Sequence, residues 1–350
     1  MSVWISIEDG MASISANAPS TERPPLRTAM IEANGALLTW DAAADERFPD
    51  AEIHTPLEAA GWLEEIYGDA IATAVRAGDI TAHPLPGDAE LVDGAHHLAQ
   101  LLWARDWWPA GIYTPALSQP ILAAEIAVAA HAVEHLLDDH DAVERALHDA
   151  LDAPSALAAA PARYRSDAAT LVDALTDLAD DNGVALNPAI LATPEDWALA
   201  AGSRTQTGDG IEISHGTAPV RWADVPGQTV AADSDAQWSL RHVDGVPHLH
   251  VSVAAVSGAT AELWARFGPE SLDIDVPLRG DGIAFTGAMQ VAASVALLPL
   301  EERTLWVRDP ILAPVPGPAE SETDRDAVRA HAVNRLDDPR AGLAERTAGE

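Results

Sequence analysis

Two hydrophobic rhythms follow one another along this chain, and the change between them limits the fold more than any other feature. Up to about residue 200, apolar residues such as Leu57, Ala60, Trp62, Ile66 and Ile71 roughly mark one stripe, as on an amphipathic helix. From about residue 205, past Gly208-Asp209-Gly210, short alternating runs take over. Turn signals separate these runs at roughly 8 to 12 residues, the spacing of a sandwich or open barrel. With 350 residues the chain is long enough to bury a core in each part. The expected class is α+β. Residues 1–204 form a mainly helical domain with an N-terminal β-hairpin, and 205–312 an antiparallel β-sandwich-like domain. Residues 313–350 form a Pro-rich exit, a short helix and a frayed polar tail.

The local signals fill in this outline. Val3, Ile5 and Ile7 alternate with Trp4 and Ser6, Asp9-Gly10 supplies a turn, and Met11 to Ser15 return, which predicts a hairpin. A Pro-rich link occupies 19–26, and Ile31 to Trp40 suit a strand or a helix start. Thr55-Pro56-Leu57-Glu58 reads as a capped start of one helix reaching Ala77. Further helices are expected over 88–107, from Ser118 to about Leu151 with a break near Asp138 to Asp141, over 166–181, after Thr193-Pro194, and over 324–336. Strands are expected near 211–215, 218–223, 228–232, 236–243, 247–256, 261–266, 271–276, 282–286, 289–297 and 303–308.

Charge and composition exclude whole chemistries. The formal net charge is -35, there is no cysteine, and all 20 basic residues are arginine. Without lysine there is no phosphate-loop lysine, Schiff base or kinase-type lysine. Without cysteine there are no disulfides, thiol catalysis or cysteine metal sites. The negative field argues against nucleic acid and against anionic membrane surfaces, and it would steer a basic protein partner inward. Residues 1–200 hold 33 acids and 8 arginines, whereas 7 arginines follow residue 300. The tail arginines are therefore candidates for folding back onto the acidic part. The first ten residues lack the basic start of a secretory signal, and no apolar run reaches the roughly 18 residues of a membrane span. Together with the missing cysteines, this suits a cytoplasmic location.

Three patterns carry possible chemistry. His131-Ala-Val-Glu134-His135 has the inverted zinc-protease form. On one continuous helix the two imidazoles would share a face and hold zinc, with Glu134 as general base and Glu212 as third ligand. The motif resembles that of the insulinase-like family, although Glu212 falls on an expected strand and the family's ligand lies on a helix. His248 and His250 flank Leu249 on a strand and share a face, with apolar residues opposite, so they are expected to meet solvent. Trp103, Trp107 and Trp108 crowd the end of a helix beside Arg105, and tryptophan and arginine are enriched at binding hot spots. These four are the interface candidates. No nucleophile elbow or dinucleotide fingerprint occurs, and no catalytic set converges.

Arg105-Asp-Trp-Trp-Pro-Ala110, Asp196-Trp-Ala-Leu-Ala-Ala-Gly202, Val220-Arg-Trp-Ala-Asp-Val-Pro-Gly227, Ala231-Ala-Asp-Ser-Asp and Trp238 resemble an uncharacterised actinobacterial family. That family pairs a helical region with a β-rich C-terminal domain. The resemblance spans most of 90–310, implies that architecture, and implies no activity, cofactor or site residue. The function expected from the residues is a non-catalytic interaction or accessory protein with a protein partner. The alternatives are a zinc-dependent hydrolase at 131–135 and a structural subunit of an assembly.

Overall fold

A computed structural model describes residues 3–8, 11–15, 23–44, 46–77, 81–82, 85, 87–189, 210–259, 261–313 and 320–350. The Asp9-Gly10 turn, the helix expected after Thr193, the segment 196–202 and Gly208-Asp209 lie outside these residues, as do parts of both Pro-rich links. The class is α+β, with two antiparallel sheets and a C-terminal helix. The chain divides into two compact units. One comprises Met1–Arg105, Leu117–Leu191 and Asp326–Glu350, the other Asp106–Ala116 and Ala192–Arg325. The short segment 106–116 thus belongs with the β-rich part, and the end of the chain with the helical part. Among the described residues no helix is long and apolar enough to cross a membrane.

In the N-terminal unit the expected hairpin, β1 (Val3–Glu8) and β2 (Met11–Ser15), sits inside a larger sheet. This sheet adds β3 (Thr28–Ala33), β4 (Ala36–Asp41), β5 (Asp50–Ile53) and β6 (Thr81–Ala82), in the order β3-β4-β5-β2-β1-β6. The open choice at Ile31 to Trp40 resolves as two strands: Ala29, Ile31 and Ala33 are buried on one, Ala36, Leu38 and Trp40 on the other. Such period-two burial is what fixes strand register.

The single helix expected over 55–77 is two, α1 (Pro56–Tyr67) and α2 (Asp69–Ala77). Gly68 separates them with φ +82°, and a side chain there would collide with the Leu85 carbonyl oxygen, so only glycine suits the corner. Thr55 makes no side-chain cap; Pro56 at the first helical position is the start signal that operates. Helix α3 (Ala89–Trp107) does carry a cap, since Asp88 Oδ1 accepts from the Glu90 and Leu91 N–H groups at 2.9 and 3.1 Å. The expected helix from 118 to 151 breaks earlier than its acidic run, into α4 (Gln119–Ala132), a 3-10 turn at Glu134–Leu136, and α5 (Ala142–Asp149). Helices α6 (Ala153–Ala158) and α7 (Arg165–Asp181) follow. Helix α4 buries Ile121, Leu122, Ala124, Ile126, Ala127, Ala129 and Ala130. It is apolar on nearly every side, as suits a central helix, and α5, α6 and α7 pack around it.

The tail is not frayed. Helix α8 (Glu322–Leu336) is followed by α9 (Leu343–Ala348), which packs on α4. A half-buried Glu125 on α4 accepts the backbone N–H groups of Leu343 and, at 2.9 Å, Ala344. Glu345 accepts the Gly342 N–H at 2.7 Å and is held by Arg335 at 2.8 Å. Arg346 reaches Asp167 on α7 at 2.8 Å. Of the tail arginines Arg346 reaches an acid of the helical unit outside the tail, whereas Arg335 pairs within the tail with Glu345; α9 is capped both by the distant Glu125 and by the local Glu345. Burial pushes the Glu125 carboxyl up to about 7; the two N–H donors oppose it, Glu345 adds to it, and Arg346 opposes it. His331 on α8 packs edge-on against Trp103 at 5.3 Å. Burial, with Arg335, lowers it to about 4, against the pull of Glu345, Asp41 and Asp338. His97 on α3 is lowered by burial and Arg335, with Glu345 opposing.

The C-terminal unit is one sheet of β7 (Ile211–Ala218), β8 (Ala236–Val243), β9 (Val246–Ala254), β10 (Leu263–Phe267), β11 (Asp275–Gly280), β12 (Ala284–Gln290) and β13 (Leu305–Arg308). The order is β13-β10-β11-β12-β9-β8-β7, and β13 curls round toward β7 and β8. Arg303 bridges this closure, donating to Ser214 Oγ at 2.6 Å and to the Leu298 and Ala296 carbonyls at 2.9 and 3.1 Å. The curled face encloses Trp238, Leu240, Leu249, Phe267 and Phe285, with Trp238 edge-on to Phe267 at 4.9 Å. The β8–β9 hairpin turns on Asp244-Gly245, both with positive φ, the type I′ geometry that hairpin twist favours. Strands expected at 218–223 and 289–297 are instead 3-10 turns at Trp222–Asp224 and Ala293–Leu297. At 228–232 only a single bridge, Val230 to Ala255, forms.

Candidate functional site: an aromatic cleft and a braced loop

His131, Glu134, His135 and Glu212 do not share one helix face. His131 lies in the last turn of α4, the helix ends at Ala132, and His135 sits in the 3-10 turn beyond it. All three of the 131–135 side chains are exposed. His131 Nδ1 faces Glu134 at 3.2 Å, whereas His135 Nε2 faces Glu65 at 3.1 Å. Glu212 belongs to the other unit, on β7, where it engages His215 at 2.8 Å and Arg241 at 3.6 Å. Among the described residues no group of three or more His, Asp or Glu is placed to hold a metal ion. His248 and His250 lie on the outward face of β9, half-buried. Burial, then Arg241 and His248, lower the His250 pKa.

The four interface candidates separate. Trp103 is buried in the N-terminal unit and donates its indole N–H to the Leu26 carbonyl at 2.8 Å. Arg105, at the edge of that unit, is exposed. Trp108 is buried in the C-terminal unit and donates to the Pro115 carbonyl at 2.9 Å. Trp107 is half-exposed there.

Trp107 belongs to a shallow cleft that gathers segments far apart in the chain. It is lined by Asp106, Trp107 and Trp108 and by Trp222, Pro226 and Gln228. The Trp222 wall is rigidly held. Asp224 is buried and accepts from the Trp306 indole at 2.6 Å, with Arg221 at 3.6 Å. Arg325 is also buried; it donates to the Val220 carbonyl at 2.6 Å and to Glu320 at 2.8 Å, and its guanidinium lies 5.0 Å from the Trp222 ring. Glu320 in turn accepts the Ala223 N–H at 3.0 Å. Gln228 holds φ at 56°, a conformation costing a non-glycine residue about 1–2 kcal/mol. The enclosed volume is about 20 Å³, room for about one water. Small-molecule sites span roughly 300–1,000 Å³, so this hollow does not enclose a ligand of that size.

The loop leaving this cleft is braced from several directions. Gly111 N–H donates to the Thr114 carbonyl at 2.8 Å, and the buried Thr114 hydroxyl donates to the Pro109 carbonyl. Ala232 N–H donates to the Ala110 carbonyl at 2.8 Å, and Ile112 N–H to Asp233 Oδ2 at 2.9 Å. The carboxylate packs so closely that a Cβ on Gly111 would lie 2.9 Å from Asp233 Oδ1. All this order serves a tip whose two side chains face water: Ile112 is 82% and Tyr113 79% exposed. The sequence singles out neither residue, and Asp233 only within the segment Ala231-Ala-Asp-Ser-Asp. The available signal was Ile-Tyr set between Gly111 and Pro115 with Thr114 as its one polar neighbour and no charge.

The segments 106–110, 220–227 and 231–235 meet around this cleft and loop. Comparison of the chain with protein-family models, curated proteins and solved structures finds no match.

Proposed function

We propose that this is a non-catalytic, cytoplasmic accessory protein that acts by binding a protein partner, and that loop 109–116 with its neighbouring cleft is the docking site. One observation carries the reading: a loop tied down by hydrogen bonds holds two large apolar side chains in water. Isolated exposed apolar residues are ordinary, but a braced pair on the loop that follows a half-exposed tryptophan has the form of a preorganised hot spot. Its ordering entropy is spent before binding. The test is site-specific photocrosslinking in the native cells. A benzophenone side chain at Tyr113 should yield one discrete protein adduct, and the same group at Leu57, 90% exposed in the N-terminal unit, should not. Equal adducts at both positions, or none at Tyr113, would reject the reading. So would stoichiometric zinc in the purified protein that disappears in His135→Ala.

A further inference from the structure

Resting on that reading, we infer that the occupant of this docking surface is a basic polypeptide segment, presenting an arginine or lysine beside an apolar residue. The inference comes from what surrounds the tip. Asp233 lies directly behind Ile112, and although one of its oxygens accepts the Ile112 N–H, its side chain remains exposed. Asp106, also exposed, stands beside the half-exposed Trp107 in the cleft wall. A carboxylate and an indole that line one cleft can share an incoming guanidinium or ammonium: the ring attracts the cation and the carboxylate accepts its N–H groups. One face of the other aromatic wall, Trp222, already carries a cation in this way, with Arg325 5.0 Å away.

The two parts of the surface are continuous. Pro109 and Ala232 both line the cleft, and Ala232 holds the loop through the Ala110 carbonyl. An apolar side chain packed on Ile112 and Tyr113 would place a neighbouring basic residue near Asp233 or Asp106. The whole chain adds to this local preference. A formal charge of -35 with no lysine draws a basic partner in by long-range steering and opposes the approach of a second copy of the same chain.

The experiment uses the full-length protein and a displayed library of random peptides as the probe. Peptides enriched on the wild-type protein are synthesised and titrated by fluorescence polarisation against Tyr113→Ser, Asp106→Asn and Asp233→Asn. The last substitution keeps an oxygen for the Ile112 N–H while removing the charge. Enriched peptides should carry an excess of arginine and lysine. Their affinity should fall about thirtyfold in Tyr113→Ser, as for a hot spot, and severalfold in each Asn variant, with weakening as salt rises. Thermal melts should be unchanged in all three variants, because the altered side chains are exposed.

Neutral or acidic peptides, or basic ones indifferent to both Asn variants, would overturn the basic partner while dependence on Tyr113 left the docking site standing. Binding indifferent to Tyr113→Ser would overturn the docking site itself. A dimer seen by light scattering and abolished by Tyr113→Ser would replace the basic segment with a second copy.

Discussion

The clasp that binds the tail to the N-terminal unit and the loop of the C-terminal unit use polar groups to opposite ends. In the clasp, Glu125, Arg335 and Glu345 are drawn inward and spend their hydrogen bonds on the chain itself, capping α9 and fixing α8. In the loop, Asp233 and Thr114 spend theirs on keeping Ile112 and Tyr113 out in water. Several of this protein's best-paired charges are therefore interior fasteners, whereas this loop exposes apolar side chains.

Breaking the clasp should cost the most stability. Arg335→Ala leaves the nearly inaccessible Glu345 carboxylate without its cation, beside Glu125. Removing one partner of such a pair costs about 3–5 kcal/mol, to be read as a lowered urea midpoint. Tyr113→Ser at the exposed tip should stay within about 0.5 kcal/mol of wild type. Equal losses would dissolve the contrast. The three tryptophans sharpen it inside a few residues of sequence. Trp103→Ala and Trp108→Ala each empty a buried site and lose an indole hydrogen bond, at about 3–5 kcal/mol. Trp107→Ala should cost about 1 kcal/mol, the usual size for a partly exposed residue.

The pH dependence of stability probes the clasp through the difference between wild type and a Glu125 variant. Glu125 is held at about 7 when folded, against an ordinary value of 4.5. The folded state grips that proton more tightly, so this contribution is complete below 4.5 and is lost as pH rises through about 7. His331 is held at about 4 when folded, against 6.5. Its contribution is complete above 6.5 and is lost as pH falls through about 4, and His97 acts in the same direction. Between about 4.5 and 6.5 the carboxyl opposes the imidazoles and reduces the slope they would give without it. Glu125→Gln should remove one side. Stability should then rise with pH across that window about 1.4 kcal/mol per unit more steeply than in wild type, the value of one proton. Melting temperatures across the window measure the slope, which is independent of any fixed cost of placing the amide. A parallel pair of curves would mean that Glu125 titrates normally.

What could be read from the sequence was what neighbours decide. Asp244-Gly245 and the alternation on either side specify the β8–β9 hairpin, and Asp88 opens α3. What could not be read depends on distant partners. Residues 218–223 alternate like a strand, yet Trp222–Asp224 turn because Asp224 is fastened to Trp306 and Asp309. The tail carries a local cap in Glu345, yet its second cap comes from Glu125, more than two hundred residues earlier. The crowding of Trp103, Trp107 and Trp108 was plain in the sequence. Their division between two units was not, because it follows from the Leu26 and Pro115 carbonyls that receive the indole hydrogens.

Gly111→Ala should have the smallest effect on stability and a disproportionate effect on binding. The new methyl would meet the Asp233 carboxylate at about 3 Å, closer than carbon and oxygen tolerate. Asp233 is exposed, so its side chain can swing away. What is lost is chiefly the hydrogen bond to the Ile112 N–H, a neutral donor at the surface, at about 0.5–1.5 kcal/mol. The fold barely registers that sum, because Thr114 and Ala232 still hold the base of the loop. The tip does register it, because Asp233 is the brace nearest Ile112, and a tip free to sample several positions must be ordered again at each encounter. Titration of a tip-dependent peptide should show affinity lost through faster dissociation, with the melting temperature within a few degrees of wild type. If the substitution instead melts the unit, the brace is part of the core. If it alters neither quantity, Tyr113 and Ile112 do not depend on Asp233 for their order, and the loop loses its claim to preorganisation.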